Sequence, residues 1–190
     1  IIGSGSAGAV MANRLSEDGK NSVLVLEYGG TDRGPFIQMP SALSYPMNMN
    51  TYNWGFETEP EPHLGGRRLA TPRGKVMGGS SSINGMVYIR GQAQDYDAWA
   101  AAGCRGWSWQ EVLPWFKLAE CNQRLSGELH GTTGPLKVSD TRFRHPLSLA
   151  FVKAAQECGL DYNHDFNGVR QQGAGFYQTT THEGERASTA

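Results

Sequence analysis

Two apolar residues, Ile1 and Ile2, run straight into the glycine-rich stretch GSGSAG, the pattern of a buried strand ending in a tight turn. The next stretch, AGAVMANRLSEDG, sets Val10, Met11 and Leu15 at helical spacing and predicts a helix stopped by Gly19. SVLVLE is apolar almost throughout, as expected of a parallel strand covered on both faces. Periodicity then fades. Residues 29–72 are rich in Pro, Gly, Asn and Tyr and read as an extended loop wrapping the surface.

A second glycine-rich segment covers residues 73–92 and holds MVYI, which reads as a short strand. AQDYDAWAAAG predicts a short helix ended by Gly103. SWQEVLPWFKLAE opens with Ser108 and Glu111 at capping-box spacing and predicts a helix kinked at Pro114. HPLSLAFVKAAQECG places Pro146 in a first turn and Gly159 just past the end of another. The tail is polar and loop-like, apart from an alternating strand signal in GFYQTTT.

Composition narrows the function classes. The chain has 190 residues, with 17 basic and 18 acidic side chains and a net charge of −1. Nothing in that balance suits a nucleic-acid groove or an anionic surface. The 3 cysteines, Cys104, Cys121 and Cys158, are far apart and odd in number, which fits neither a disulfide framework nor a metal or redox pair. No apolar run reaches the roughly 18 residues of a membrane span, and no signal peptide is visible. The 25 glycines cluster in loops, as in proteins whose backbone closely approaches a cofactor.

The first candidate site is the turn itself. Gly3, Gly5 and Gly8 stand in the G-x-G-x-x-G pattern, after a strand and at the start of a helix. Gly3 permits the turn, Gly5 lets a pyrophosphate approach the backbone, and Gly8 lets helix pack on strand. The N–H groups of Ser4, Gly5, Ser6 and Ala7 would then face an anion at the helix start. Glu27 ends SVLVLE at about the spacing, some 20 residues on, where a carboxylate accepts from a ribose diol. That carboxylate disfavours a 2′-phosphate, but the motif does not separate FAD from NAD.

A plain NAD domain would continue with helix and strand. This chain instead enters its long loop and reaches TPRGKVMGGSSSINGMVYIRG. Gly78, Gly79 and the serines Ser80, Ser81 and Ser82 make a loop that tolerates an anion or a ring, and Asn84 with Gly85 can turn sharply. Such a segment could offer backbone N–H groups to the edge of a flat polar ring.

PRGKVMGGSSSINGMVYIRGQAQDYDAWAAAG, together with GSGSAG and LVLE, closely resembles the glucose–methanol–choline (GMC) oxidoreductases, FAD-dependent oxidisers of alcohols. YNWGFETEPEP, GRRL, HGTTGPLKVSD, DFNGVRQQGAGFYQ and GERASTA resemble the choline dehydrogenase and aliphatic-alcohol dehydrogenase branch, so the likeness spans the whole chain. It implies an α/β, Rossmann-like FAD-binding fold with the start of a second, substrate-side domain. Residues 1–103 would be the first part of the FAD domain, including the loop 29–72, and residues 104–190 a helical and loop segment leading into the second domain.

The resemblance also implies site residues. Gly3, Gly5, Ser6, Ala7 and Gly8 would hold the FAD pyrophosphate and Glu27 the adenosine ribose. Ser80, Asn84, Gly85, Met86 and Val87 would lie along the flavin. Some relatives tether the flavin through a His just before the signature Asn; Ile83 stands there, which implies non-covalent FAD. The implied reaction moves a hydride from a primary alcohol to flavin N5 while a base takes the hydroxyl proton. A quinone or another acceptor takes the electrons in dehydrogenases, and oxygen in oxidases. A non-catalytic nucleotide-binding fragment and an NAD-dependent dehydrogenase are the competing readings.

The family's catalytic His lies near the end of a longer chain, and nothing here matches that region, so no catalytic residue and no metal site is expected in this sequence. Both ends look cut, as in an N-terminal portion lacking its first residues. The five histidines, His63, His130, His145, His164 and His182, read as loop or surface residues, with His145 helping to start the helix at Pro146. Trp54, Phe56 and Tyr88 read as packing residues, and Trp107, Trp109, Trp115 and Phe116 as core or interface. The expected partners are a small alcohol and an electron acceptor, without nucleic acid or a transmembrane segment. A cytoplasmic or peripherally membrane-associated location is expected.

Overall fold

The computed structural model describes residues 1–190. Its elements, in chain order, are α1 (Ser6–Ser16), α2 (Pro35–Gln38), α3 (Ser44–Asn48), α4 (Ala93–Ala101), α5 (Trp109–Ala119), β1 (Glu120–Asn122), β2 (Leu136–Asp140), α6 (Pro146–Glu157), β3 (Gln178–Thr179), β4 (Thr181–His182) and β5 (Glu185–Arg186). Two compact units form: Ile1–Met86 with Glu183–Ala190, and Val87–His182. The expected domain division at 103/104 falls inside the second.

In the first unit the opening residues lie parallel to the end of SVLVLE. The Ile1 amino group donates to Leu24 O at 2.8 Å, Leu26 N to Ile1 O at 2.9 Å and Gly3 N to Leu26 O at 2.7 Å. SVLVLE is not the doubly covered strand that its apolar run predicts. It pairs with residues 1–3, and Leu24 and Leu26 are 72% and 56% exposed. The apolar face of α1 at Val10, Met11 and Leu15 is likewise exposed, and the helix ends at Ser16, short of Gly19. The core of the unit lies elsewhere, where Ile37, Val76 and Ile83 pack with Met47 and Tyr52.

The long loop is more ordered than its composition predicts. Besides α2 and α3, residues 53–74 fold back as an antiparallel arm, with Asn53 opposite Gly74, Glu57 opposite Ala70 and Glu61 opposite Arg67. The arm reverses at Gly65 and Gly66, both in the left-handed region that glycine enters without strain. The prolines and glycines of this stretch leave no alternation from which the pairing could be read.

The second unit follows its local signals closely. The Asp95 carboxylate accepts from Gln92 N at the start of α4, and the Glu111 carboxylate accepts from the N–H and hydroxyl of Ser108 at the start of α5. α5 runs through Pro114 without a break. His145 accepts from Leu147 N and caps α6. β1 pairs parallel with β2 (Glu120 with Leu136), and β2 pairs antiparallel with β3 (Asp140 with Gln178). The MVYI segment contributes a single bridge, from Val87 to Thr179.

A buried ionic network is built on Glu120 of β1, and His130, which lies in a loop as read from the sequence, is buried in it rather than at the surface. The Glu120 side chain is wholly buried; it accepts from Arg90 Nη2 at 2.6 Å, Gly131 N at 2.8 Å and Asn122 Nδ2 at 2.8 Å. His130 bridges Glu120 Oε1 and Asp165 Oδ2, each at 3.0 Å. Burying charges is costly unless their partners are complete, and here two cations meet two carboxylates. Burial alone would lower the His130 pKa, but the bonds to Asp165 and Glu120 outweigh it and push it up to about 9. Trp109 packs with Tyr96 and Phe116 as expected, whereas Trp107 and Trp115 are exposed.

A raised histidine pKa stabilises the folded state fully below its unfolded value and loses that effect as pH climbs through the folded value. The melting temperature should therefore fall between about pH 6.5 and about pH 9. In His130→Gln, calorimetry across that range should show a lower melting temperature with the slope largely gone.

Candidate cofactor site

The site begins at the turn between strand and helix. Gly3 has φ +88°, which a side chain would strain. At Gly8 a Cβ would lie 2.0 Å from Gly3 O, so helix and turn can approach only through glycine. Gly5 differs. An added Cβ there would meet only Gly79 Cα, at 3.9 Å, so the protein itself leaves room beside it. Gly5 caps α1 without a side chain, so the N–H groups of Ser6, Ala7 and Gly8 have no side-chain acceptor at the positive end of the helix.

Glu27 reaches this turn directly. Its Oε2 accepts from both the N–H and the hydroxyl of Ser4, each at 2.8 Å, and its Oε1 from Gly29 N at 2.9 Å. The Ser4 N–H, expected to face an anion, is thus committed to Glu27. Burial would raise the Glu27 pKa, but the hydrogen bonds from Ser4 and Gly29 overcome it and hold the carboxyl below its usual range. Sequence reasoning did not assign Ser4 this role, because a serine inside a glycine loop carries no signal of its partner.

The second glycine segment closes on the first. Gly5 bridges Gly78, Gly78 N donates to the Ser4 hydroxyl at 3.3 Å, and a Cβ on Gly79 would lie 2.8 Å from Gly5 Cα. Gly29 and Gly74 are similarly crowded, against Lys75 and Gly79 backbone. Gly3, Gly5, Ser6, Ala7, Gly8 and Glu27 therefore gather at one place, with Gly78 and Gly79 beside them. Ser80, Asn84, Gly85 and Met86 follow from that contact.

Each of these has a distinct setting. The Ser80 hydroxyl accepts from Gly74 N at 3.0 Å, and Asn84 Oδ1 accepts from Met86 N at 3.0 Å. Met86 is buried with φ +60°, an uncommon conformation for a side-chain-bearing residue. Val87 opens the second unit and is exposed there. Ile83 is buried in the core and has no nucleophilic atom.

Two aromatic expectations are corrected. Trp54 and Phe56 are 43% and 55% exposed rather than packed inside. Trp54 stacks between Tyr28 and Phe56, under Lys75. The Tyr88 hydroxyl accepts from Arg90 within the second unit.

The family model for GMC oxidoreductases matches residues 1–190. This chain belongs to the GMC oxidoreductase family. It is 58% identical over all of its length to the oxygen-dependent choline dehydrogenase of Brucella anthropi, and 53% identical to that of Rhizobium meliloti, covering 35% of each. The chain thus spans about a third of the length of the curated relatives it matches.

Among solved structures, pyridoxine 4-oxidase from Mesorbium loti superposes with a TM-score of 0.93 at 34% identity, over 100% of this chain and 37% of that one. An FAD-dependent oxidoreductase from Chaetomium thermophilum gives 0.89 at 33%, over 99% and 34%. Formate oxidase gives 0.88 at 26%, over 99% and 35%. The fold is that of the N-terminal, FAD-binding part of a GMC flavoenzyme.

Glu27→Gln should cost about 1.5–3 kcal/mol, the worth of hydrogen bonds to a charged group. Denaturant unfolding of the flavin-free protein should show it. A depressed carboxyl pKa stabilises above the unfolded value and loses that effect as pH falls, so the difference between Glu27→Gln and the parent should vanish in acid.

Proposed function

We propose that the protein holds FAD non-covalently and oxidises a primary alcohol, choline-like or aliphatic, to the aldehyde. The carrying observation is Gly5: its missing side chain is not required by protein packing, and it stands beside a helix start with uncapped N–H groups. A pyrophosphate suits that arrangement, since backbone donors and the helix dipole both favour an anion. A side chain at Gly5 would fill the space.

Ser6, Ala7 and Gly8 would donate their N–H groups to the pyrophosphate, with Gly3 shaping the turn. Glu27, only partly exposed, would take a ribose hydroxyl while keeping the turn closed through Ser4. Ser80, Asn84, Gly85 and Met86, with Val87 next in the chain, would lie along the flavin and orient it through backbone groups. The buried Ile83 supports attachment without a covalent bond. Bound flavin would supply the two-electron acceptor, receiving hydride from the carbinol carbon at N5.

The proton-accepting base is assigned to none of the five histidines. His130 is locked between two carboxylates and His145 caps α6. The names of the 53–58% identical relatives support choline as the alcohol. For the electrons we take a quinone or another acceptor as the first reading. The "oxygen-dependent" in the relatives' names favours oxygen as the second. No helix is long and apolar enough to cross a membrane, and a cytoplasmic or peripheral membrane location is part of the same reading.

The test uses the full-length protein. It should be purified yellow, release FAD on acid treatment, and lose its visible absorption when choline or a short alcohol is added without oxygen. A colourless protein that takes up no FAD would overturn the reading. Peroxide on re-aeration would mark oxygen as acceptor, and dye or quinone reduction without peroxide the alternative. Gly5→Ala should melt like the parent yet bind FAD at least tenfold more weakly, about 1.4 kcal/mol. Gly8→Ala should lower the melting temperature as well, because its Cβ collides with Gly3 O.

A further inference from the structure

Arg186, in the sequence GERASTA, is 5% exposed and forms no ion pair. A buried guanidinium is costly unless it is paired and fully hydrogen-bonded, and this one is neither. Its Nη2 is buried without a hydrogen-bond partner. Burial pulls its pKa down to about 10. Its other donors go to the oxygens of two segments, α2 and residues 81–84. Nε donates to Ile37 O at 3.0 Å, while Nη1 meets Ser81 O at 3.1 Å, Asn84 O at 2.8 Å and Asn84 Oδ1 at 2.9 Å. Thr189, three residues on, joins its hydroxyl and N–H to Ser81 Oγ at 3.0 and 3.1 Å.

This has a geometric consequence. All peptide bonds in the chain are trans, and in a trans peptide C=O and N–H point in opposite directions. Arg186 draws in the carbonyl of Asn84, so the N–H of Gly85, on the same peptide, points away from the guanidinium. Gly85 is exposed. The neighbouring amides are spent: Ile83 and Asn84 N–H groups go to Ser80 O, and Met86 N–H goes to Asn84 Oδ1, the same oxygen that Arg186 holds. The left-handed Met86 is thereby fixed as well.

We propose that Arg186 is the positioning residue of the flavin-side segment, turning the peptide between Asn84 and Gly85 so that the Gly85 N–H is presented outward as a hydrogen-bond donor to the bound flavin. The inference rests on the FAD reading above. A lysine would carry the same charge, but only the planar fork of arginine can meet the Ile37 carbonyl and the Asn84 oxygens together.

The experiment takes the full-length, FAD-loaded protein and its Arg186→Ala variant. It measures FAD affinity, the fine structure of the visible flavin bands, which reports hydrogen bonding at the ring, and melting of the flavin-free form. Arg186→Ala should bind FAD about tenfold more weakly or worse, as expected on losing charge-assisted bonds. It should also show altered flavin bands, and added guanidinium ion at a non-denaturing concentration should restore both. Parental affinity and bands in a folded Arg186→Ala would overturn the proposal, and so would a loss that guanidinium does not reverse. Should Arg186→Ala fail to fold, Arg186→Lys decides: weaker FAD and altered bands support the proposal, and parental values overturn it. A parent protein that takes up no FAD would overturn the function proposed above instead.

Discussion

The first unit depends on backbone meeting backbone where side chains would normally stand. The turn 3–8 and the segment 74–79 touch through glycine on both sides, with Gly79 too close to Gly5 for any Cβ and Gly8 too close to Gly3 O. Gly29 and Gly74 extend the same crowding to Lys75 and Gly79. Glycine loses more conformational freedom on folding than any other residue. The structure offsets that loss with oriented hydrogen bonds, above all from Ser4 and Gly29 to the Glu27 carboxylate. The same close approach leaves backbone N–H groups as the chemical face of the site. Backbone donors cannot swing away on rotamers, so they suit a ligand that must be held in one orientation.

Charge is handled in opposite ways in the two units. In the second, Arg90, Glu120, His130 and Asp165 form a balanced set, with Asn122 and Gly131 completing the Glu120 shell. Its task is to hold β1 and the loops that flank it. In the first, Glu27 and Arg186 are each partnered by backbone and neutral groups, without a compensating charge. A carboxylate held by amides and a guanidinium held by carbonyls both act on chain direction: each fixes the orientation of specific peptides. That arrangement suits the proposed site, whose donors are peptide groups.

Local signals and long-range contacts left different marks on the chain. Capping at Ser108 with Glu111, the start of α6 at Pro146, and the glycine turn with Glu27 after it were all legible, because each depends on residues within a few positions or on one well-defined spacing. The antiparallel arm 53–74, the buried state of His130 and the exposure of Trp54 were not. Pairing across some twenty residues leaves little trace when prolines interrupt the alternation, and a histidine in a polar loop looks the same whether the carboxylates of β1 and of another loop surround it or water does. The SVLVLE run shows the converse. Its apolar pattern states which surfaces could be covered, and the cover itself has to come from elsewhere in the fold.

The amino-acid sequence alone determined the family, the glycine loop with its acidic strand end, and the second glycine-rich motif, since these are short-range patterns of residue type that depend on which backbone conformations and spacings are sterically open. Only the tertiary structure decided that Ser4 closes onto Glu27, that Gly78 and Gly79 lie against Gly5, and that Arg186 reaches back more than a hundred positions to Asn84. Those contacts are made by chain segments far apart in sequence, and the burial that gives each charge its direction exists only once the segments have come together.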